Sequence, residues 1–458
     1  MYRRSSFDLK KIKKDKLSVR FSQNLEKLIN VVNKKYLIAF SGGSDSVTLL
    51  ALMLTYVTDN KSIVVCYINH GIQKISRSEL RFIKKICENN KIIFVKKTLN
   101  FKLKKNGDSI EEWARINRYK ELNKISIYHN CNWILTGHHG NDQVETILMN
   151  FQNSAGIYGL KGILPIRNNI LRPMLIFTKK EIDAFLKKHS IDYLSDKSND
   201  DLKIPRNFIR TKIIKVWEEN DGNLIQGFIR SSSFMLESHE GILFFIKKFI
   251  EDNDIIFFNG VVKLEKKIFS QFPLSIKFLF VQYLTNSFGI WRKSDYLIVQ
   301  NFFESKRIGL IINLKKDIEI LNDREVWFIR NKINLKFSIK IKINIPYYIS
   351  GKSYLVSLVE KSDFKLKDGY EYLDWDLIKN KKLTLRTWRN GDKFLPLGMK
   401  KNKKISDFLI DLKIPRFLKD YQTVLLADDE IILLFGLRIN HKFRVTNSTN
   451  NIVSIKCK

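Results

Sequence analysis

The chain has 458 residues, 44% of them hydrophobic and 12% aromatic, and this exceeds the roughly 250–300 residues one core can serve, so two or three globular domains are expected. Lys and Arg number 81 against 47 Asp and Glu, and the formal net charge of +34 attracts polyanions and repels other copies of the chain, which makes nucleic acid the leading partner. No stretch approaches the ~18 apolar residues of a membrane span, and the basic segment Met1 to Arg20 lacks a signal peptide's apolar centre, so a cytoplasmic protein with no membrane contact is expected.

A compositional bias toward Lys, Asn, Ile and Phe would raise the charge equally, so charge supports RNA binding without establishing it. The four cysteines, Cys66, Cys87, Cys131 and Cys457, form no CxxC pair and no zinc-like spacing with histidine. They read as buried, reduced thiols.

Over the first 200 residues short apolar runs alternate with stretches of helical period, the pattern of strands and crossover helices in a parallel sheet. Tyr36 to Phe40, Ser62 to Asn69, Lys91 to Lys96 and Asn132 to Thr136 read as strands. Capping boxes at Ser76 with Glu79, Ser109 with Glu112 and Thr178 with Glu181 announce helices between and after them. The fold class expected is α/β, a doubly wound parallel sheet, followed by a mainly helical domain and a small α+β C-terminal domain. Boundaries are placed at residues 1–217, 218–345 and 375–458. Within the middle segment Gly309 to Asn313 and Glu325 to Ile329 suggest a small sheet, and Leu335 to Ile345 reads as an edge strand or a connector.

Directly after the first strand stands Ser41-Gly42-Gly43-Ser44-Asp45-Ser46, and the apolar helix Val47 to Leu54 follows. Glycines let backbone approach a phosphate, N–H groups at the helix start point toward it, and the helix dipole favours its charge. Asp45 would repel phosphate unless a magnesium ion bridges the two, which points to Mg-ATP. A Ser/Gly turn with an Asp cap is the bland alternative, but SGGSDS between strand and helix is more specific than that. It is the PP-loop signature and implies attack at the α-phosphate with release of pyrophosphate.

The fourth strand ends in Thr136-Gly137-His138-His139-Gly140-Asn141-Asp142-Gln143, and Val144, Ile147, Leu148 and Phe151 then form an apolar stripe expected to face the sheet. Asp142, Gln143 and Glu145 thus sit in the first turn of a helix at the carboxyl edge of the sheet, where doubly wound folds bind ligands.

These segments resemble the tRNA(Ile)-lysidine synthetases, whose pattern runs SGGxDS, NHGLR, an AR..RY helix and TGHHxDDQxET. Here Asn69-His70-Gly71-Ile72, Ala114-Arg115 with Arg118-Tyr119, and Thr136 to Thr146 match in order. Arg172-Pro173-Met174-Leu175, Asp196-Lys197-Ser198-Asn199, Arg206-Asn207 with Arg210, and Arg389 to Met399 continue the match. Asn141, Gln73 and Asn153 depart from it, so Asp142 is left as the one carboxylate of the family's DD pair.

The resemblance implies catalytic roles for Asp45, Asp142 and Arg115, with magnesium on Asp45. It implies ATP contacts for Ser41, Gly42, Gly43, Ser44, Asp45, Ser46, His70, Thr136, Gly137 and His138, and lysine or tRNA contacts for Asp142, Glu145, Arg118, Arg206 and Arg210. ATP, Mg2+, free L-lysine and the tRNA(Ile) with a CAU anticodon are the implied cofactors and partners, and a homodimer is one assembly it allows. Two rivals stand beside this reading. A tRNA-thiolating PP-loop enzyme would need reactive cysteines, and an RNA-binding protein with a decayed nucleotide site would not keep SGGSDS intact.

Overall fold

A computed structural model of the chain describes residues 7–457, except 31–33, 70–76, 101–109, 195–201, 203, 254, 256, 259, 288–292, 315–316, 333–335, 350 and 366–367. His70, Gln73, Ser76, Ser109 and Asp196 to Asn199 fall outside the described residues. The chain divides into two compact units, Met1–Ile242 and Leu243–Lys458, and the division lies inside a long helix, Leu224–Asp252.

In the first unit, helices α1 (Leu9–Lys13) and α2 (Lys16–Leu28) precede strand β1 (Tyr36–Ala39) and helix α3 (Ser44–Tyr56). Then come β2 (Ile63–Asn69), α4 (Arg77–Asn89), β3 (Ile93–Thr98), α5 (Ile110–Tyr128), β4 (Trp133–Leu135) and α6 (Gly140–Gln152). After the short helix α7 (Ile157–Leu160), β5 (Ile166–Arg167) and β6 (Ile170–Leu171) close the sheet, and α8 (Lys179–Lys188) follows. The sheet order is β3-β2-β1-β4-β6-β5, and all neighbours are parallel except β5 with β6. The four expected strands are present to within two residues at each end, because β-branched runs such as Ile63 to Val65 bury both faces of a covered parallel sheet.

Strand β1 is central, with β2 on one side and β4 on the other. The chain therefore leaves β1 and β4 at a point where the strand order reverses, and a crevice opens beyond their carboxyl ends. Helix α3 is buried over nearly its whole length, from Ser46 to Leu54. This fixes the loop before it against the core.

The Thr178–Glu181 capping box is present at the start of α8. The stripe on α6 is a correction: Val144 packs with Ile209, Ile214, Leu224 and Ile225 rather than with the sheet, and Phe151 is exposed. An amphipathic period shows that a helix has a buried face but does not name its partner. Here that partner is a helical run of α9 (Pro205–Phe208), a π-helical stretch at Ile209–Ile214 and α10 (Lys215–Asn220).

The second unit holds helices Leu274–Leu284 and Lys293–Glu304 and an antiparallel sheet that includes Val261–Glu265, Ile311–Leu314, Ile318–Asn322 and Val326–Asn331. Phe249, Phe269, Phe272 and Phe280 cluster beside it. Two further antiparallel sheets follow. In one, Ser338–Lys340 is an edge strand on Leu383–Thr387, and in the other Ile452–Cys457 lies between Lys352–Val359 and Tyr370–Asp374. Arg330 fastens the first of these three sheets to the last segment of the chain. Its Nε donates to Glu319 and its Nη1 to Asp420, each at 2.8 Å, and its guanidinium stacks 3.9 Å from the Phe417 ring. Among the described residues no helix is long and apolar enough to cross a membrane.

Asp15, which caps α2, is buried and accepts from Lys188 Nζ at 2.7 Å and lies 3.1 Å from His189 Nε2. Burial raises its pKa, but Lys188, the Leu17 N–H and His189 outweigh that and bring it from 3.8 down to about 2. A lowered carboxylate pKa adds stability above the unfolded value, and the gain is lost as pH falls through the folded one. Asp15→Asn is therefore expected to cost about 2 kcal/mol at neutral pH and to flatten the loss of stability between about pH 4 and pH 2, read from urea midpoints.

Candidate active site

The loop after β1 is shaped from within. Ser46 is buried, and its Oγ accepts from the N–H groups of Ser41 (3.2 Å) and Gly42 (3.1 Å) while donating to the Gly43 carbonyl (3.0 Å). The Gly43 N–H donates to Ser41 Oγ at 3.3 Å. The loop's own amides are thus spent holding its shape. The N–H groups left for an anion are those of Ser44, Asp45 and Ser46, which open α3 and have no intrahelical acceptor. Gly42 has a φ of +84° and its carbonyl accepts from the Leu194 N–H at 2.8 Å; a Cβ there would stand 2.6 Å from Leu194 Cδ1.

The loop after β4 lies directly against the start of α3. A Cβ on Gly137 would stand 3.1 Å from both the carbonyl carbon and oxygen of Asp45 and 3.3 Å from the Ser46 nitrogen, so glycine permits the two segments to meet. Thr136 is buried, and its hydroxyl lies 2.7 Å from His138 Nδ1. Burial, with Arg172, Arg118 and Arg206 nearby, lowers the His138 pKa to about 3, so its imidazole is neutral. His139 is buried between two carboxylates, with Nε2 3.7 Å from Asp45 Oδ1 and 3.6 Å from Asp142 Oδ2.

On α6, Asp142 accepts from the His139 N–H at 2.9 Å and from Arg206 Nη2 at 2.9 Å. Glu145 is fully buried and takes Arg206 Nε and Arg210 Nε, each at 2.5 Å. The two arginines come from α9 and the π-helical turn that follows it. Burial pushes the Asp142 pKa up, but His139, His138 and Arg206 outweigh it and hold the carboxyl well below its usual range.

Expected site residues thus converge from three places: Ser41 to Ser46, Thr136 to Glu145, and Arg206 with Arg210. Arg118 joins from α5, where it lines a small cavity with Ala39, Phe40, Ser41, Cys66, Ile68 and Leu122. Arg115 is exposed on the same helix, and among the described residues no hydrogen bond or ion pair joins it to the loop. Gln143 is structural, since its amide bonds the Lys161 carbonyl at 3.1 Å and the Ile163 N–H at 2.6 Å.

Two residues of the site are not marked by sequence spacing. His139 lies in the Thr136 to Thr146 run, but nothing in the run gives it a role. Lys179 is the other: its Nζ donates to Ser44 Oγ at 2.5 Å and Asp45 Oδ1 at 2.6 Å, and it lies 3.2 Å from Asp183 Oδ1. The Thr178 capping box marked where its helix begins, but nothing in sequence spacing linked that helix start to a loop 134 residues earlier.

Among the described residues no three His, Cys, Asp or Glu side chains gather as a metal cage. The Asp45 carboxylate is 37% exposed, with the Ser44 hydroxyl 3.3 Å from it.

Fold and loop together define a PP-loop domain, and the family model of that description matches residues 17–217. The model for the TilS substrate C-terminal domain matches residues 383–456. The tRNA(Ile)-lysidine synthase of Clostridium tetani is 30% identical over 93% of this chain and 95% of its own. That of Caldanaerobacter subterraneus is 27% identical over 94% and 97%, and that of Thermosipho africanus 29% identical over 90% of each. The chain belongs to the tRNA(Ile)-lysidine synthase family.

Because the Gly137 backbone leaves no room beside Asp45, Gly137→Ala is expected to displace the start of α3 and weaken ATP binding about tenfold to a hundredfold. Calorimetric titration with ATP checks this, alongside circular dichroism showing an intact fold.

Proposed function

We propose that this protein ligates free lysine to C2 of the wobble cytidine in the CAU anticodon of tRNA(Ile), using ATP and releasing pyrophosphate and AMP, so that the anticodon reads AUA in place of AUG. The observation that carries the reading is the abutment of the two loops at the sheet's switch point, which sets a phosphate site and the carboxylates of α6 side by side. Family membership agrees with it.

In the first step the cytidine O2 attacks the α-phosphate and pyrophosphate leaves. The amides of Ser44, Asp45 and Ser46 face the phosphate charge as it shifts, in a loop already shaped by Ser46, so little rearrangement is needed. Asp45 would hold magnesium, which supplies charge withdrawal from the phosphate oxygens when bound. Arg118 lines the cavity beside Ser41, and its guanidinium suits nucleotide or RNA phosphate.

In the second step the neutral lysine ε-amine, its proton given to solvent, attacks C2; the C–N bond forms as the C2–O bond to AMP breaks, AMP leaves, and a second proton passes to solvent. Free lysine is cationic at neutral pH, with a pKa near ~10.4. Asp142 would orient that cation, and Arg206 and Arg210, both paired with the buried Glu145, hold the α6 carboxylates in position. Asp142 binds protons weakly in this setting, which suits it to draw in and orient the amine more than to keep its proton.

Sulfur delivery is disfavoured. Burial raises the Cys66 and Cys87 thiols to about 12 and Cys131 to about 11, far from the thiolate that such chemistry uses.

With labelled lysine, ATP and a CAU-anticodon transcript, incorporation should require all three, and thiol alkylation should leave it unchanged. Asp142→Asn is expected to lower lysine incorporation about a hundredfold while tRNA-dependent pyrophosphate release stays within about fivefold. Loss of both activities together would remove the lysine-orienting role.

A further inference from the structure

Asp45 poses an electrostatic problem that magnesium solves only when magnesium is there. A carboxylate at the mouth of a phosphate site repels the ligand the site is built for. In this structure the answer is a lysine from another element. Lys179 Nζ sits 2.6 Å from Asp45 Oδ1 and 2.5 Å from Ser44 Oγ, on the same two side chains proposed to face the divalent ion. Its position is built rather than incidental. Lys179 is the first residue of α8, a helix fixed by the Thr178–Glu181 capping box, and the Lys179 N–H donates to Asn141 Oδ1 at 2.8 Å. Asn141 is buried on α6, so the helix start that carries the ammonium is tied to the segment that carries Asp142. Asp183, one turn along α8, lies 3.2 Å from the ammonium and gives it a second carboxylate.

We propose that Lys179 is a place-holding cation: in the nucleotide-free protein its ammonium occupies the seat on Asp45 and Ser44 that a divalent ion takes with the triphosphate. It yields that seat to the ion and pairs with Asp183 instead. This inference rests on the Mg-ATP reading above and adds a residue to it. It also gives Asn141, which departs from the family's paired aspartates, a job that an amide oxygen performs: holding the start of α8. Lys179 is a positioning residue here, acting through Asp45 and the loop.

The test is calorimetric titration of the full-length protein with α,β-methylene-ATP, in EDTA and again in excess Mg2+, for wild type, Lys179→Met and Lys179→Arg. In EDTA the Met variant should bind about tenfold or more weakly than wild type, the scale of losing one unit charge at a half-exposed site. In excess Mg2+ the gap should close to within about threefold, and the Arg variant should restore most of the EDTA affinity. Equal loss under both conditions, or no loss in EDTA, overturns the place-holding role. If wild type binds the analogue in neither condition, the Mg-ATP reading itself fails and the inference falls with it.

Discussion

The site depends on one close approach, that of the backbone at Gly137 to the backbone of Asp45. Two loops leave adjacent central strands on a sheet whose order reverses between them, and each opens a helix that starts at the same edge. Side chains larger than hydrogen at 137 would wedge these helix starts apart. Their N-terminal dipoles and N–H groups converge because that wedge is missing. The helix start proposed for phosphate and the carboxylates of α6 are brought side by side by the same contact.

Electrostatics completes what backbone geometry begins. Asp45 and Asp142 lie at the crevice with Glu145 buried behind them, and each is paired with a cation: Lys179 on Asp45, Arg206 on Asp142, and Arg206 with Arg210 on Glu145. Glu145 is wholly buried, so removing its partners would strand a charge away from water. Such pairing balances the three carboxylates with three cations. It also keeps Asp142 ionised. The Arg330 joint in the second unit follows the same logic, with a guanidinium shared by Glu319 and Asp420 and stacked on Phe417. In the last segment, Asp392 accepts two bonds from Arg386, at 2.8 and 2.9 Å, which shapes the turn before the lysine-rich stretch 400–404. Lys400 and Lys401 there are exposed, while Lys403 pairs with Asp411.

Much of this was legible in the sequence because the first unit is built from short-range signals. Strand runs, the glycine-rich loop and the Thr178 box each span a few residues, and each lies where local physics puts it. Long-range partnerships were less accessible. Period alone showed that Val144 is on a buried face of α6 but not that Ile209 and Leu224 cover it, and no spacing rule pairs Lys179 with Asp45. The loop amides show what sequence leaves out: Ser46 Oγ takes the N–H groups of Ser41 and Gly42, so the helix-start amides remain to meet an anion. The edge strand at Ser338–Lys340 was visible as alternation, yet its pairing with Leu383–Thr387 needed the fold.

The central claim is that the start of α3, braced by the loop after β4, is where triphosphate sits. A crystal structure of the protein with α,β-methylene-ATP and Mg2+ tests it most directly. The account predicts phosphate oxygens within hydrogen-bond distance of the Ser44, Asp45 and Ser46 amides and a metal ion on the Asp45 carboxylate. Triphosphate bound elsewhere, with Lys179 still seated on Asp45, would contradict it.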